Sequence, residues 1–359
     1  MTALLSLLHE KKLSKESLVQ LLAVTGDDEK ALFGHAEKVK DENVGNTVYL
    51  RGLIEFSNIC EKNCYYCGIR RDNSDTHRYC LTHDEAIESV RFAHENGFGS
   101  VAIQSGELSS KAFTEKIDLL LKEAMRITNG EIGITLSCGE QSEDVYRRWF
   151  ENGAQRYLLR IESSTPELYK KLHPNNELHS YTNRINALES LKKCGYQVGT
   201  GVMIGLPFQT AEHLANDLLF MKQLDIDMCG MGPYIEHART PLYEHKSQLL
   251  PLQKRLNLSL KMVALLRILM PDINIAATTA LQTIEKNGRE RAIQVGANVL
   301  MPNITPKKYR DDYFLYENKP VSAQSDEDEL RFLEERLKNI GHEIGYFRQG
   351  NSKHYQNAL

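Results

Sequence analysis

The sequence contains no apolar run near the roughly 18 residues of a membrane-spanning helix, so no transmembrane segment is expected. It also has no surplus of positive charge: 44 Lys and Arg stand against 48 Asp and Glu, a formal net charge of −4. A nucleic-acid partner is therefore not expected, because no basic excess exists to neutralise phosphates. The seven cysteines are an odd number, and their spacing gives no disulfide framework for a chain of 359 residues. A reducing, cytoplasmic setting is the natural expectation. The opening stretch, "MTALLSLLHEKKLSKESLVQLL", lacks a cationic leader, a full apolar core and a cleavage site, and reads as an amphipathic helix. Low-complexity linkers are absent, and the longest charge run, "SDEDE", reads as a solvated helix start. What remains is an ordinary globular composition, 41% apolar and 26% charged, enough for one large domain or two smaller ones.

The middle of the chain alternates short β-rich runs with amphipathic helical stretches. Strands are predicted at 47–56, 100–106, 132–138, 156–162, 196–205, 227–233, 274–280 and 298–303. Helices are predicted at 82–96, 111–127, 142–152, 181–194, 210–224 and 251–270. Thr82 with Glu85 forms a capping box, and Gly97 and Gly195 sit where helix-ending glycines belong. Eight strand–helix units imply a parallel sheet of right-handed βαβ crossovers. Their extent favours an α/β fold of the closed (β/α)8, TIM-type barrel over an open doubly wound sheet. One domain is expected, with N-terminal helices over 1–46, the barrel over 47–306 and a closing segment with a helix over 307–359.

Three cysteines, Cys60, Cys64 and Cys67, crowd the loop "FSNICEKNCYYCGIRRDN" directly after the first strand, where barrel active sites lie. The spacing is too dense for a disulfide scaffold. Structural zinc would want a fourth ligand, which His77 or Cys80 could supply. Three thiolates can instead hold three irons of a [4Fe–4S] cube and leave the fourth iron open to a substrate or cofactor. Cys80, Cys138, Cys194 and Cys229 are scattered and read as small buried hydrophobes.

A CxxxCxxC triplet with an aromatic residue, Tyr66, before the last cysteine resembles the signature of the radical S-adenosylmethionine (SAM) enzymes. "QSGE" at the end of the second strand is similar to that superfamily's GGE-type motif. Longer stretches, "RYLLRIES", "GYQVGTGVMIGLPFQT", "MCGMGPYIEHARTPL", "LKMVALLRILMPDINIAATTALQTI" and "GANVLMPNITPKKYRDDYFLY", resemble the HydE family of [FeFe]-hydrogenase maturases. That family is related to biotin synthase and methylornithine synthase. The resemblance covers most of residues 48–316. It implies a [4Fe–4S] cluster on Cys60, Cys64 and Cys67, and reductive cleavage of SAM to methionine and a 5′-deoxyadenosyl radical. It further implies that Tyr66 lies near the adenine, that the Gly106–Glu107 segment receives the SAM ammonium, and that Glu162 and Arg184 contact SAM. Arg156, Arg160, Met231, Thr279, Tyr309 and Tyr313 fall at positions lining the family's internal cavity. The implied substrate is a small anionic or organometallic species, an iron–cysteine carbonyl/cyanide precursor of the hydrogenase di-iron centre. Implied partners are a low-potential electron donor, other maturases and a hydrogenase.

The residues carry their own physical reading. Glu107 and Glu162 end predicted strands at one mouth, where a carboxylate can meet an ammonium or ribose hydroxyls. Arg184 opens a helix, and its planar fork suits a carboxylate. Arg156 and Arg160 share one face of a strand, and two guanidiniums there either bind an anion inside the barrel or pair with acids at its bottom face. Met203, Met228 and Met231 read equally well as core filler. Gly199, Gly201 and Gly205 weaken a strand and mark a ligand's close approach or a crowded barrel corner. "LYENKPVSAQSDEDELRF" lacks the accessory-cluster cysteines of some HydE relatives, and no second-cluster pattern of the biotin synthase kind is present. A relative acting on another amino acid or thioether, such as a methylornithine-synthase-like mutase, stays open, as does a non-catalytic iron–sulfur or zinc protein.

Overall fold

The structure, a computed structural model, describes residues 7–9, 13–320 and 326–358. Part of the amphipathic helix expected at the chain's start, and part of the "SDEDE" run, lie outside them. Eight parallel strands are β1 (Thr47–Ser57), β2 (Ser100–Ser105), β3 (Gly133–Ser137), β4 (Ala154–Leu158), β5 (Gln197–Thr200), β6 (Met228–Cys229), β7 (Asn274–Ile275) and β8 (Val299–Leu300). Their order in the sheet is β8-β1-β2-β3-β4-β5-β6-β7. Ala276 bridges back to Val299, so the two ends of the sheet meet and the expected TIM-type barrel forms. Beyond β5 and β6, the pair Met203–Ile204 and Gly232–Pro233 continues the ladder toward the C-terminal mouth.

Alternation along the strands divides inside from outside. On β1, Leu50, Ile54 and Phe56 enter the apolar layer under the helices. Arg51 and Glu55 take the inner face. On β4, Tyr157 packs among Tyr146, Trp149 and Tyr196 in that outer layer. Its neighbours Arg156 and Leu158 therefore face the interior. The surrounding helices start where side-chain caps place them: the Thr82–Glu85 capping box opens His83–Glu95, and Ser110, Ser142 and Ser180 accept from backbone N–H groups three residues on. Gly97 and Gly195, at φ 76° and 88°, end two of these helices as expected.

Several predicted strands are shorter than their apolar runs. The run at 156–162 forms a strand only over Ala154–Leu158, and the 196–205 run breaks after Thr200. The 274–280 run forms a strand only over Asn274–Ile275, adds the single bridge at Ala276, then turns into the helix Thr279–Ile284. Crowding explains the break in β5. A Cβ on Gly201 would stand 2.1 Å from the Gly230 carbonyl, so the glycines of this strand mark a crowded corner.

Helices Lys15–Ala23 and Gly26–Asn43 lie against Ala211–Leu224 and Leu252–Leu269. Lys261 Nζ reaches the freed carbonyls of Leu22 at 3.2 Å and Val24 at 2.5 Å, finishing the first of these helices. The opposite end of the chain floors the barrel. Glu343–Ile344 pairs with Thr47–Val48, and residues 349–352 then pass beneath the strands. Arg51 and Asn274 donate to the Gly350 carbonyl, at 3.2 and 2.9 Å, and Gln197 donates to Asn351 Oδ1 at 2.9 Å. Gly201→Ala is expected to destabilise the protein by about 1–3 kcal/mol through overpacking against backbone, read as a lower midpoint in chemical denaturation. An unchanged midpoint would mean that β5 and β6 can part freely.

Candidate active site

The cysteine loop leaves β1 at its C-terminal end and is held from three sides. Arg78 donates through Nη1 to the carbonyls of Asn58 and Ile69, both at 2.7 Å, and through Nη2 to Arg70 at 2.6 Å and Asn73 at 3.2 Å. Two neutral histidines grip the loop from the segment after helix Pro166–Leu172. His179 Nε2 accepts the Asn63 N–H at 2.9 Å while its Nδ1–H donates to Asn176. His173 Nδ1–H donates to the Tyr169 carbonyl, which leaves Nε2 to accept the Tyr66 hydroxyl at 3.2 Å. Burial pushes both imidazoles down, His173 to about 3 and His179 to about 4, so they stay neutral acceptors at ordinary pH.

The third side is "QSGE". Gly106 N–H donates to the Ser57 carbonyl at 2.7 Å, Glu107 N–H to Cys60 Sγ at 3.3 Å, and Glu61 N–H to the Glu107 carbonyl at 2.9 Å. Gly106 is required here, since a Cβ would stand 2.3 Å from the Ile59 carbonyl and 2.9 Å from Cys60 Cβ.

Burial raises all three thiols, Cys64 to about 12, and for Cys64 and Cys67 the neighbouring cysteines add to the rise. Among the described residues, no three His, Cys, Asp or Glu side chains are drawn to metal-ligating spacing, the three thiols included. His77 turns away to Asp312 at 3.0 Å, and Cys80 Sγ faces the Leu81 carbonyl. Neither joins the triplet, which leaves the zinc reading without a fourth ligand. Of the other cysteines, Cys138 and Cys229 are buried as expected, and Cys194 is partly exposed.

Beside Cys60, four charges close into a ring. Lys62 Nζ lies 3.0 Å from Glu107 and 3.3 Å from Glu140, and Arg184 lies 3.4 Å from Glu107 and 2.8 Å from Glu140. Glu162 stands across the mouth in a left-handed conformation, φ 63°, the kind of backbone that clusters at ligand sites. Its carboxylate takes Arg160 Nη2 at 2.9 Å, and burial pushes it up. Asp217, on helix Ala211–Leu224, fixes the next residues by accepting from both Ser164 N–H, at 2.7 Å, and Ser164 Oγ–H, at 2.6 Å. Burial raises Asp217 to about 7.

The cavity positions separate in the structure. Arg156 lies fully buried on the inner face near the floor, donating to the Gln349 carbonyl at 2.8 Å and to Asn351 at 2.6 Å. Among the described residues its Nε and Nη1 have no hydrogen-bond partner, nor does the hydroxyl of Thr135 on β3. Arg160 is higher on the same face, and Tyr313 enters the mouth with its hydroxyl 3.3 Å from Gln104. Met231 does not join them. Inward Met228 and Gly230 alternate with outward Cys229 and Met231, so Met231 belongs to the apolar layer under the helices. Tyr309 is likewise outside the cavity: it stacks on Tyr79 at 4.7 Å, and its hydroxyl donates to Glu85 at 3.1 Å on the outer rim. Thr279 opens a helix at the mouth, and the adjacent Thr278 hydroxyl donates to the Met231 carbonyl.

Sequence reasoning missed Arg78, Lys62, Glu140, His173, His179 and Asp217. Only Lys62, lying between two cysteines, carried a local signal. The others act across loops whose meeting no spacing reveals.

The family model of the radical SAM superfamily matches residues 54–221. An [FeFe] hydrogenase maturase subunit HydE from Thermotoga maritima is 43% identical over 325 residues, 90% of this chain and 89% of that protein. The chain belongs to the radical SAM superfamily. A 3-methylornithine synthase from Methanosarcina acetivorans is 29% identical over 293 residues, 80% of this chain and 79% of its own length. Solved structures of methylornithine synthase (PylB) and of HydG, a maturase of the [FeFe]-hydrogenase, each reach a TM-score of 0.80 over 99% of this chain, and cover 100% and 79% of those chains. At 24% and 20% identity these two establish the barrel alone.

This radical SAM enzyme uses a [4Fe–4S] cluster and SAM. Its mouth fits both. Thiols raised by burial and by one another are favoured as thiolates only beside a positive centre, which iron provides. A charge-balanced ring beside Cys60 suits a zwitterion such as the amino-acid end of SAM. Among the described residues, no helix is long and apolar enough to cross a membrane.

Arg78→Ala leaves several loop carbonyls without donors and is expected to cost about 2–4 kcal/mol, with less iron bound per chain after reconstitution. Full iron loading would show that the loop holds its shape unaided. For Asp217 the folded value lies above the unfolded one, so its contribution is fullest below pH 4 and declines as pH rises toward 7. The melting temperature of Asp217→Asn relative to the unsubstituted protein should therefore rise between pH 5 and pH 8. A flat difference would mean that Asp217 does not titrate in this range.

Proposed function

We propose that this enzyme is a HydE-type maturase that generates a 5′-deoxyadenosyl radical to act on a small anionic or organometallic precursor of the [FeFe]-hydrogenase di-iron centre. The observation that carries the reading is the convergence, at one barrel mouth, of the three-cysteine loop, the Glu107–Arg184 pair and Glu162, in a chain 43% identical to a HydE subunit. Cys60, Cys64 and Cys67 would hold the cluster, leaving one iron for SAM. Tyr66, fixed by His173, would flank the adenine. The Gly106–Glu107 segment would receive the ammonium, Arg184 the carboxylate, and Glu162 a further part of SAM. When bound, cluster and SAM together supply the electron transfer and C–S cleavage that yield the radical.

The protein's own part is orientation and exclusion. Arg78, His173 and His179 keep the loop in one shape. The floor built by residues 349–352 closes the interior away from the mouth, so the radical forms where water has little access. Inside, Arg156 and Arg160 give one inner face two guanidiniums, which supports an anionic substrate. Partners would be a low-potential electron donor, the other hydrogenase maturases and the hydrogenase itself. The chain would work as one unit, the barrel of residues 47–306 flanked by the helices before it and the closing segment after it.

Anaerobic reconstitution with iron and sulfide, followed by EPR of the reduced protein with and without SAM and a 5′-deoxyadenosine assay, tests the radical chemistry. A reduced-cluster signal that shifts on SAM addition, lost in Cys64→Ala, is the expected outcome. A tightly held zinc and no SAM response would sink it. Activation of a cluster-deficient [FeFe]-hydrogenase with the other maturases present tests the maturase assignment. Radical formation without activation would redirect the substrate to another small molecule.

A further inference from the structure

The ring of Lys62, Glu107, Arg184 and Glu140 pairs each of its charges within itself, although two of its members are the groups assigned above to the ends of SAM. Its side chains are nearly shut off from solvent, from 5% exposed for Lys62 to 17% for Glu140. A carboxylate or guanidinium left single in such a place is costly, so a pocket built for a zwitterion must be filled by something when the zwitterion is away. The filling here has the same two charges. Lys62 presents an ammonium 3.0 Å from Glu107, and Glu140 presents a carboxylate 2.8 Å from Arg184 Nε.

We propose that Lys62 and Glu140 are resident stand-ins for the two charges of the amino-acid end of SAM, and that SAM enters by exchanging with them. The inference rests on the reading of Glu107 and Arg184 as SAM contacts. The exchange uncovers no charge. Lys62 and Glu140 are already 3.3 Å apart, so when the ligand's ammonium takes Glu107 and its carboxylate takes Arg184, the two displaced groups remain paired with each other. Lys62 also keeps the Leu178 carbonyl, to which its ammonium donates. Both stand-ins sit on loops at the mouth, Lys62 on the cysteine loop and Glu140 just after β3. Neither needs the barrel wall to move. The ring therefore holds the cofactor-free site in shape and lowers the apparent affinity for SAM by the fraction of molecules in which it is closed.

The test compares SAM affinity in the reconstituted, cluster-bearing protein, by calorimetric titration and by the SAM-dependent EPR change, for the unsubstituted enzyme and the double variant Lys62→Met/Glu140→Gln. Removing both stand-ins together leaves no displaced charge unpaired and should tighten SAM binding, by about tenfold if the ring is closed in nine molecules of ten. The SAM-free double variant should also melt earlier and gain more from SAM than the unsubstituted protein does. A residue that merely shapes the pocket can only weaken binding when it is lost. Iron content and the SAM-free EPR signal report cluster loading, and Lys62→Gln/Glu140→Gln, which keeps a polar group beside the cysteines, replaces the first double variant where loading is disturbed. Unchanged or weaker binding in the cluster-loaded double variant, with a normal response in the unsubstituted enzyme, overturns the inference alone. No SAM response in the unsubstituted enzyme overturns the SAM reading of the mouth and the inference with it.

Discussion

Three thiols on one short loop, shielded from water and close enough to feel one another, are a constraint that the rest of the mouth answers. Each disfavours ionisation of the next, and burial disfavours it for all, so the loop has no electrostatic reason to keep its cysteines together. Its shape has to come from outside. Arg78 supplies it by tying carbonyls from Asn58 to Asn73, the two neutral histidines supply it by accepting from Asn63 and Tyr66, and Gly106 supplies it by letting β2 end flat against the loop. The loop is preorganised by neutral hydrogen bonds and one guanidinium, and only a metal centre then makes thiolates of the cysteines.

Charge is distributed differently along the barrel axis. At the mouth the carboxylates of Glu107, Glu140 and Glu162 all meet lysine or arginine, and the ionic balance there is close to neutral. Toward the floor the balance shifts. Arg51 and Arg156 are both deeply buried, burial lowers both, and they donate to carbonyls, an amide and a methionine sulfur, with no carboxylate among those partners. A zwitterion entering at the top meets matched charges, whereas anything passing deeper meets a positive wall. The gradient follows from strand register, which sends every second residue of β1 and β4 inward.

What the sequence made legible was local. The cysteine triplet, the caps at Thr82 and Gly195 and the long amphipathic helices all depend on residues within a few positions of one another, and the structure has them where they were expected. Strand ends were harder, because pairing in a barrel stops where neighbours crowd, as at Gly201 against Gly230, and no composition shows that. The two cavity positions that failed, Met231 and Tyr309, failed for physical reasons of the same kind. With β6 paired over only two residues, the face of Met231 is set by the ladder and not by its side chain. Tyr309 found a ring and a carboxylate outside the barrel, Tyr79 and Glu85, that lie far from it in the chain. The partners that complete the mouth, Lys62 to Glu140 and His179 to Asn63, join loops after different strands, a relation that a linear pattern does not carry.

The barrel floor has a consequence for how the chain comes to be folded. Arg51 and the Gly350 carbonyl, which meet under β1, are 299 residues apart, and Gln197 and Asn351 are 154 apart. Contacts of such separation carry the loop-closure entropy of long stretches of chain, so they form late. During synthesis the eight strands and the cysteine loop all leave the ribosome before the segment that seals them. Until that segment docks, the nascent barrel is a tube open at its lower end, with Arg51 and Arg156 accessible to water, and only its docking makes the interior a closed chamber.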